Sequence, residues 1–312
     1  MAKPKHKSFV KAPPAFVGQV TASHGRHHFV TSPTGEVFEA HRRGKKTDVV
    51  VGDWVACSEP VSGIVAIESI EPRRSLLFRS DEWRVKELAA NVDVVAVVFA
   101  SRPSFNPWFV WKAVIAAKTA GIDVVVIRNK TDLSEGAEQA AAFLERLTAM
   151  GETTLSMSAQ ADPEAAVAAI APLVQGKTCL FVGQSGMGKS TLLNALVPDA
   201  QARTREFSEA LDLGKQTTTA TRLYVADVLG QEAKIIDSPG FQEFGLAHVT
   251  RNDVLRAMPD ILAYAQGCRF YNCTHTNEPG CNVKSALADG LIDPDRYAFY
   301  TEMARSALPD TL

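Results

Sequence analysis

One eight-residue segment, "GQSGMGKS" at 183–190, constrains this chain more than any other. Gly183, Gly188, Lys189 and Ser190 fit the spacing G-x-x-x-x-G-K-[ST], directly behind the apolar run "KTCLFVG" and ahead of the helix-forming "STLLNALV". A strand, a glycine turn and a helix start in that order aim backbone N–H groups inward at phosphate oxygens. Gly183, Gly186 and Gly188 allow the turn, and Lys189 neutralises the β and γ phosphates of a nucleoside triphosphate as they react. Ser190 offers a hydroxyl to Mg²⁺, and Thr191 follows on the helix.

The surroundings suit such a loop. "VDVVAVVFA" at 92–100 is a continuous β-branched run, as in a strand buried on both faces of a parallel sheet. Helix and strand patterns then alternate through "PWFVWKAVIAAKTAG", "IDVVVIRNK", "SEGAEQAAAFLERLTAMG", "ETTLSMSA" and "DPEAAVAAIAPLV". Residues 81–247 therefore read as an α/β domain. Within it, the polar, basic segment 203–219 reads as a long loop.

Four further segments carry chemistry. In "NKTD", the Asp132 carboxylate can accept from the N1–H and 2-amino group of guanine, which adenine cannot offer; Asn129 braces the loop and Lys130 lies along the ring. Ser158 and Ala159 follow the next strand and can give a backbone N–H to the guanine O6. "DSPG" ends another short strand, with Asp237 placed for Mg²⁺ and the Gly240 N–H for the γ-phosphate. Between them, one of Thr217, Thr218 and Thr219 completes the Mg²⁺ shell when triphosphate is bound; Thr218 stands for the three.

Their order is base, base, phosphate, switch, switch. This order resembles that of a circularly permuted GTPase. A doubly wound sheet tolerates the rearrangement because its chain ends lie close together. On this reading the γ-phosphate-sensing segment runs straight into the C-terminal tail, while the base-reading half abuts the N-terminal region.

The flanks have their own signatures. Residues 1–80 hold 12 Lys and Arg against 7 Asp and Glu, although the whole chain has a net charge of −2. His6, His24, His27, His28 and His41 lie there too. Such asymmetry suits a polyanion partner or, more plainly, a solvated basic surface. Behind a basic tail at 1–14, five short alternating segments over 15–80 suit a small antiparallel barrel whose strands stop near Pro72.

Residues 248–312 read as mostly helical, interrupted by "CRFYNCTHTNEPGC". Cys268, Cys273, His275 and Cys281 form a ligand set for one closed, tetrahedral, structural Zn²⁺. Cys57 and Cys179, alone in apolar strands, read as buried free thiols. With 46% hydrophobic residues and no apolar run of membrane-spanning length, the chain reads as a folded cytoplasmic protein with no membrane partner.

The most specific stretches, "GQSGMGKS", "TTT", "DSPGFQEFGL" and "CRFYNCTHTNEPGCNVKSAL", closely resemble the ribosome small subunit-dependent GTPase A family over about residues 15–300. The resemblance implies an OB-fold at the N-terminus and a monomer off the ribosome. It also implies GTP hydrolysis stimulated by the small ribosomal subunit, and a role in late maturation of that subunit and its rRNA.

Phe241 stands where many GTPases carry the Gln that orients the attacking water. His248 is the preferred substitute and resembles a histidine proposed to be catalytic in the family; a solvated helix cap is the plainer reading. Trp54, Trp83, Trp108 and Trp111 suit either RNA stacking or packing. Arg73, Arg74, Arg79, Lys45 and Lys46 suit either RNA or a domain junction. Two other functions fit the motifs: an RNA-binding module using GTP only as a latch, and an ATPase or metabolite kinase, against which Asp132 argues.

Overall fold

The computed structural model describes residues 13–24, 27–42, 48–80, 85–198, 200, 221–230, 232–238 and 245–308. His6, Lys45, Lys46, Trp83, Thr217, Thr218, Thr219, Gly240 and Phe241 lie outside the described residues, as does the Arg79 side chain.

Short alternating segments form β1 (Phe16–His24), β2 (His27–Thr31), β3 (Val37–Arg42), β4 (Trp54–Cys57) and β5 (Ile64–Ile70). They pair in the order β1-β2-β3-β5-β4, and β4 returns to β1, so the five strands close into the expected barrel. Alternation turns Val20, Val30, Ala40, Val55, Val65 and Ile67 inward to a small core. One pairing departs from an all-antiparallel barrel: β3 and β5 run parallel.

Strand structure continues past Pro72, contrary to the sequence reading. β6 (Leu76–Ser80) and β7 (Val85–Ala90) form an antiparallel hairpin outside the barrel, and it straddles residue 80. Gly52 lets β7 pass close: at φ +93, a Cβ there would stand 2.0 Å from the Ala90 carbonyl oxygen. Arg73 locks the junction, donating to the fully buried Asp53 carboxylate at 2.7 and 2.8 Å and to Glu87 at 2.9 Å. Arg74 pairs with Asp93 at 2.6 Å. Both arginines thus bind the two halves of the molecule together.

The α/β region follows the expected alternation. It comprises β8 (Val94–Ala100), α1 (Pro107–Thr119), β9 (Asp123–Asn129), α2 (Ala137–Ala149), β10 (Thr153–Ser156), α3 (Pro163–Val174), β11 (Thr178–Val182), α4 (Lys189–Leu196), β12 (Thr221–Val225) and β13 (Lys234–Asp237). All seven residues of β8 are buried. α1 starts at Pro107 behind Asn106, whose side chain accepts from the Trp108 N–H; Asp162 caps α3 through the Ala165 N–H. Strand order is β10-β9-β8-β11-β13-β12, parallel except for β12.

β12 also pairs with β1, Ala22 opposite Arg222 and Ser23 opposite Thr221, so barrel and α/β region share one continuous sheet. This corrects the expected layout. Strands β9 and β10, which carry the expected base-reading segments, occupy the far edge, and the barrel hangs instead on β12, the strand that follows the Thr217–Thr219 segment.

The tail forms α5 (Arg251–Arg256), α6 (Pro259–Ala265), α7 (Asn282–Ala288) and α8 (Pro294–Ser306). Thr250 and Asp253 make a reciprocal capping box on α5. Phe299, Tyr300 and Met303 share a core with Trp111 and Val114 of α1 and Phe143 of α2. Arg296, almost fully buried, is held by Asp260 at 2.9 and 3.2 Å and lies over the Trp111 ring.

Candidate functional site

The strand order reverses between β8 and β11, and the crevice beyond their carboxyl ends is where open α/β sheets take ligands. The loop 183–190 stands there. Gly186 and Gly188 have φ of +79 and +92, conformations that side chains resist, and a Cβ on Gly183 would lie 2.4 Å from the Val98 carbonyl oxygen. Lys189 is buried, its ammonium donating to the carbonyls of Gly183 at 2.6 Å and Gln184 at 3.1 Å. Burial pushes its pKa down, and Asp237 opposes that shift. Asp237 ends β13, where burial pushes its carboxyl up against the opposing pull of Lys189 and Arg222. Ser190 is exposed and Thr191 half-buried.

The residues expected to read the base, distant in sequence, are fastened to this loop. The buried Asn129 amide donates to the Met187 carbonyl at 3.2 Å and accepts from the Ala159 N–H at 3.1 Å. Its Nδ2 would lie 2.3 Å from a Cβ on Gly188, so only glycine fits beneath it. Lys130, at φ +60, donates to the Gly186 carbonyl at 2.6 Å and the Arg102 carbonyl at 3.1 Å. Ser158 Oγ donates to Asp132 Oδ1, orienting the carboxylate. Asn129, Lys130, Asp132, Ser158 and Ala159 thus form one assembly with the phosphate loop.

A further support has no motif to betray it. The Asn106 N–H donates to Gln184 Oε1 at 2.9 Å, and Pro103 packs within 3.0 Å of the position a Gly186 Cβ would take. Only the position of the 101–106 segment after β8, at the ligand-binding end of the sheet, hints at this role.

Cys268, Cys273, His275 and Cys281 bring their donor atoms within 4.8 Å of one another. Cys268 Sγ lies 3.4 Å from His275 Nδ1 and 3.9 Å from Cys281 Sγ, and Cys281 Sγ lies 3.6 Å from His275 Nδ1. A tetrahedron with Zn–S near 2.3 Å and Zn–N near 2.0 Å has edges of about 3.5–3.8 Å, so donor set and spacing both fit a tetrahedral soft metal. The surrounding turn is tightly held. Glu278 accepts from the N–H groups of Thr274, Thr276 and Asn277 and from the Thr274 hydroxyl, and Tyr297 donates to the His275 carbonyl at 2.6 Å. These bonds bring the Glu278 carboxyl down to about 2 against the opposing effect of burial.

Residues 70–247 match the family model described as RsgA GTPase. The chain belongs to the RsgA GTPase family. It is 48% identical over 283 residues to a protein of Bordetella pertussis named "Small ribosomal subunit biogenesis GTPase RsgA", covering 91% of this chain and 93% of that one. A protein of the same name from Ralstonia nicotianae is 44% identical over 287 residues, covering 92% and 90%. Among solved structures, YloQ, described as a circularly permuted GTPase, superposes with a TM-score of 0.65 at 23% identity, covering 97% of each chain. YjeQ from Thermotoga maritima gives 0.68 at 25% identity, covering 93% of this chain and 97% of that one. The inverted motif order thus agrees with the circularly permuted fold by which YloQ is described.

His248 sits in a turn after Leu246, half-buried, its ring 5.1 Å from that of Phe78 on β6. Its buried Nδ1 has no hydrogen-bond partner among the described residues, and burial pushes its pKa down. Among the described residues, its ring contact is with the hairpin and not with the phosphate loop. Trp108 and Trp111 pack against Phe299 and are structural. Trp54 is 39% exposed on the barrel, with the Lys234 ammonium 5.4 Å from its ring centroid. Cys57 and Cys179 are buried free thiols, their pKa values pushed up to about 11 and about 12 by desolvation.

Proposed function

We propose that this GTPase binds GTP across loops 129–132, 158–159 and 183–190, hydrolyses it to GDP and phosphate, and uses that cycle in late maturation of the small ribosomal subunit in the cytoplasm. The observation that carries the nucleotide reading is the Asn129 side chain, which ties the base loop, the 158–159 turn and the phosphate loop together by two hydrogen bonds. The subunit enters through the name carried by relatives 44–48% identical over nine-tenths of the chain.

Each residue then has a task. Asp132, oriented by Ser158, accepts from guanine N1–H and the 2-amino group; Lys130 lies along the ring, while the Ala159 N–H, expected at the guanine O6, donates instead to Asn129 Oδ1 and braces the base loop. The backbone of Gly183, Gly186, Gly188 and Thr191 cradles phosphate. Lys189 now spends its protons on its own loop's carbonyls, and a polyphosphate offers that desolvated cation a stronger acceptor. Ser190, Asp237 and one of Thr217, Thr218 and Thr219 would hold Mg²⁺, which would supply charge neutralisation on the transferring oxygens, and the Gly240 N–H would sense the γ-phosphate. His248 orients the attacking water in place of the Gln that Phe241 replaces. Its depressed pKa keeps the imidazole neutral near pH 7, able to take a proton. Cys268, Cys273, His275 and Cys281 would hold a Zn²⁺ that would fix the tail, the basic barrel meets rRNA, and the chain acts as a monomer off the subunit.

The latch reading, GTP binding with negligible hydrolysis, is favoured by one observation, the packing of His248 on Phe78. Co-sedimentation with purified small subunits tests the main reading. A non-hydrolysable GTP analogue should give tighter association than GDP, and equal association in both states would refute it. His248→Ala should leave GTP affinity unchanged and remove subunit-stimulated turnover; retained stimulation removes His248 from the mechanism.

A further inference from the structure

The outer face of the barrel carries a side-chain cluster that nucleotide chemistry does not use. The register that sets Phe29 opposite Glu39 and His28 opposite Ala40 continues to bring His27 beside His41. Inward-facing His28, Val30 and Ala40 are buried, so the alternate residues His27, Glu39 and His41 face outward together. Glu39 Oε1 lies 3.0 Å from His27 Nδ1 and 3.2 Å from His41 Nε2, and the two imidazole centroids are 5.3 Å apart. All three donor atoms fall within 4.8 Å of one another. On β1, His24 stands directly opposite His27, adding an imidazole on the same side of the sheet.

We propose that His27, Glu39 and His41 form a second metal site, separate from the cysteine site, which binds one divalent transition cation such as Zn²⁺ or Ni²⁺. Two imidazoles and a carboxylate suit borderline cations rather than Mg²⁺ or Ca²⁺, which prefer all-oxygen shells. Metal–donor bonds near 2.1 Å give donor–donor edges of about 3.0 Å in an octahedral shell and about 3.4 Å in a tetrahedral one. The observed 3.0 and 3.2 Å lie in that range. Two hydrogen-bonded strands hold all three ligands, which limits the reorganisation that binding requires. His27 and His41 remain about half exposed, so a bound cation keeps coordination positions open to water or to an oxyanion.

The test is isothermal titration of Ni²⁺ into the full-length chain already loaded with one equivalent of Zn²⁺. One Ni²⁺ should bind per chain. Glu39→Gln and His41→Ala should each weaken it at least about tenfold, since losing a direct ligand costs no less than losing an outer-shell partner. His27→Ala/His41→Ala should abolish it, and His6→Ala should leave it unchanged. An absence of Ni²⁺ binding in the wild type overturns the proposal, because the triad is then only a surface hydrogen-bond cluster. Undiminished binding in the double variant overturns it equally, by placing the metal elsewhere. Thermal melts of each metal-free variant against wild type establish that the fold is retained.

Discussion

The Asn129 carboxamide donates to the Met187 carbonyl 3.2 Å away, across 58 residues of chain. With the Ala159 N–H on its other end, this one side chain ties loops 129–132, 158–159 and 183–190 into a single object, whichever comes first in sequence. Permutation alters the order of the motifs and leaves this junction in place. Asn129→Ala leaves a buried carbonyl and a buried N–H without partners, at a cost of about 1–3 kcal/mol each. GTP and GDP affinity, measured with fluorescent nucleotides, should both fall by at least about tenfold.

On the proposed reading, Asp132 sets the identity of the base. Asp132→Asn keeps its shape but places a donor where guanine also donates. Hydrogen bonds to a charged group contribute about 1.5–3 kcal/mol, so GTP affinity should fall by roughly ten- to a hundredfold. Xanthosine triphosphate should become the preferred nucleotide in a competition assay. Unchanged preference would return the chain to the ATPase or metabolite-kinase reading.

Reading the sequence reached these two loops and the cysteine cluster because their chemistry needs fixed residue types at short spacing. It reached the barrel strands because a half-buried strand alternates. It missed the β6–β7 hairpin, where Arg79, Lys86 and Glu87 interrupt the apolar pattern around Leu77 and Leu88. Nothing in the sequence announces that β1 pairs with β12, since a ladder between residues 22 and 222 has no periodicity of its own. The same limit hides the His27, Glu39 and His41 triad, which exists only once β2 and β3 are in register. Trp111 and Arg296 were equally unreadable as partners, because tertiary packing alone joins them.

On the proposed reading the tail depends on a metal held by Cys268, Cys273, His275 and Cys281. Structural Zn²⁺ contributes about 10–16 kcal/mol in zinc-finger peptides, as much as a whole domain's usual stability of about 5–15 kcal/mol. A strong chelator should therefore strip hydrogen-exchange protection from 251–308 while the sheet at 94–182 keeps it. Phe299 packs on Trp108 and Trp111, so tryptophan emission should shift to the red in step. Full protection after metal removal, checked by elemental analysis, would contradict a structural metal.

His28 gives the barrel a pH limit. It is buried against Ser23, 3.1 Å away, and desolvation holds its pKa below the ordinary 6.5. Between those values the unfolded chain binds more protons than the folded one, so stability is full above pH 6.5 and falls as pH drops below it. The slope for one such group reaches at most about 1.4 kcal/mol per pH unit. Urea unfolding at pH 5.5 and 7.5 should show the loss in wild type and a smaller loss in His28→Gln.

GTP turnover with and without purified small ribosomal subunits, across a salt series, tests the central claim most directly. The account predicts slow turnover of the free protein, marked stimulation by subunits, and steep loss of that stimulation as salt screens the contacts with rRNA phosphates. Turnover indifferent to subunits at every salt concentration would contradict it.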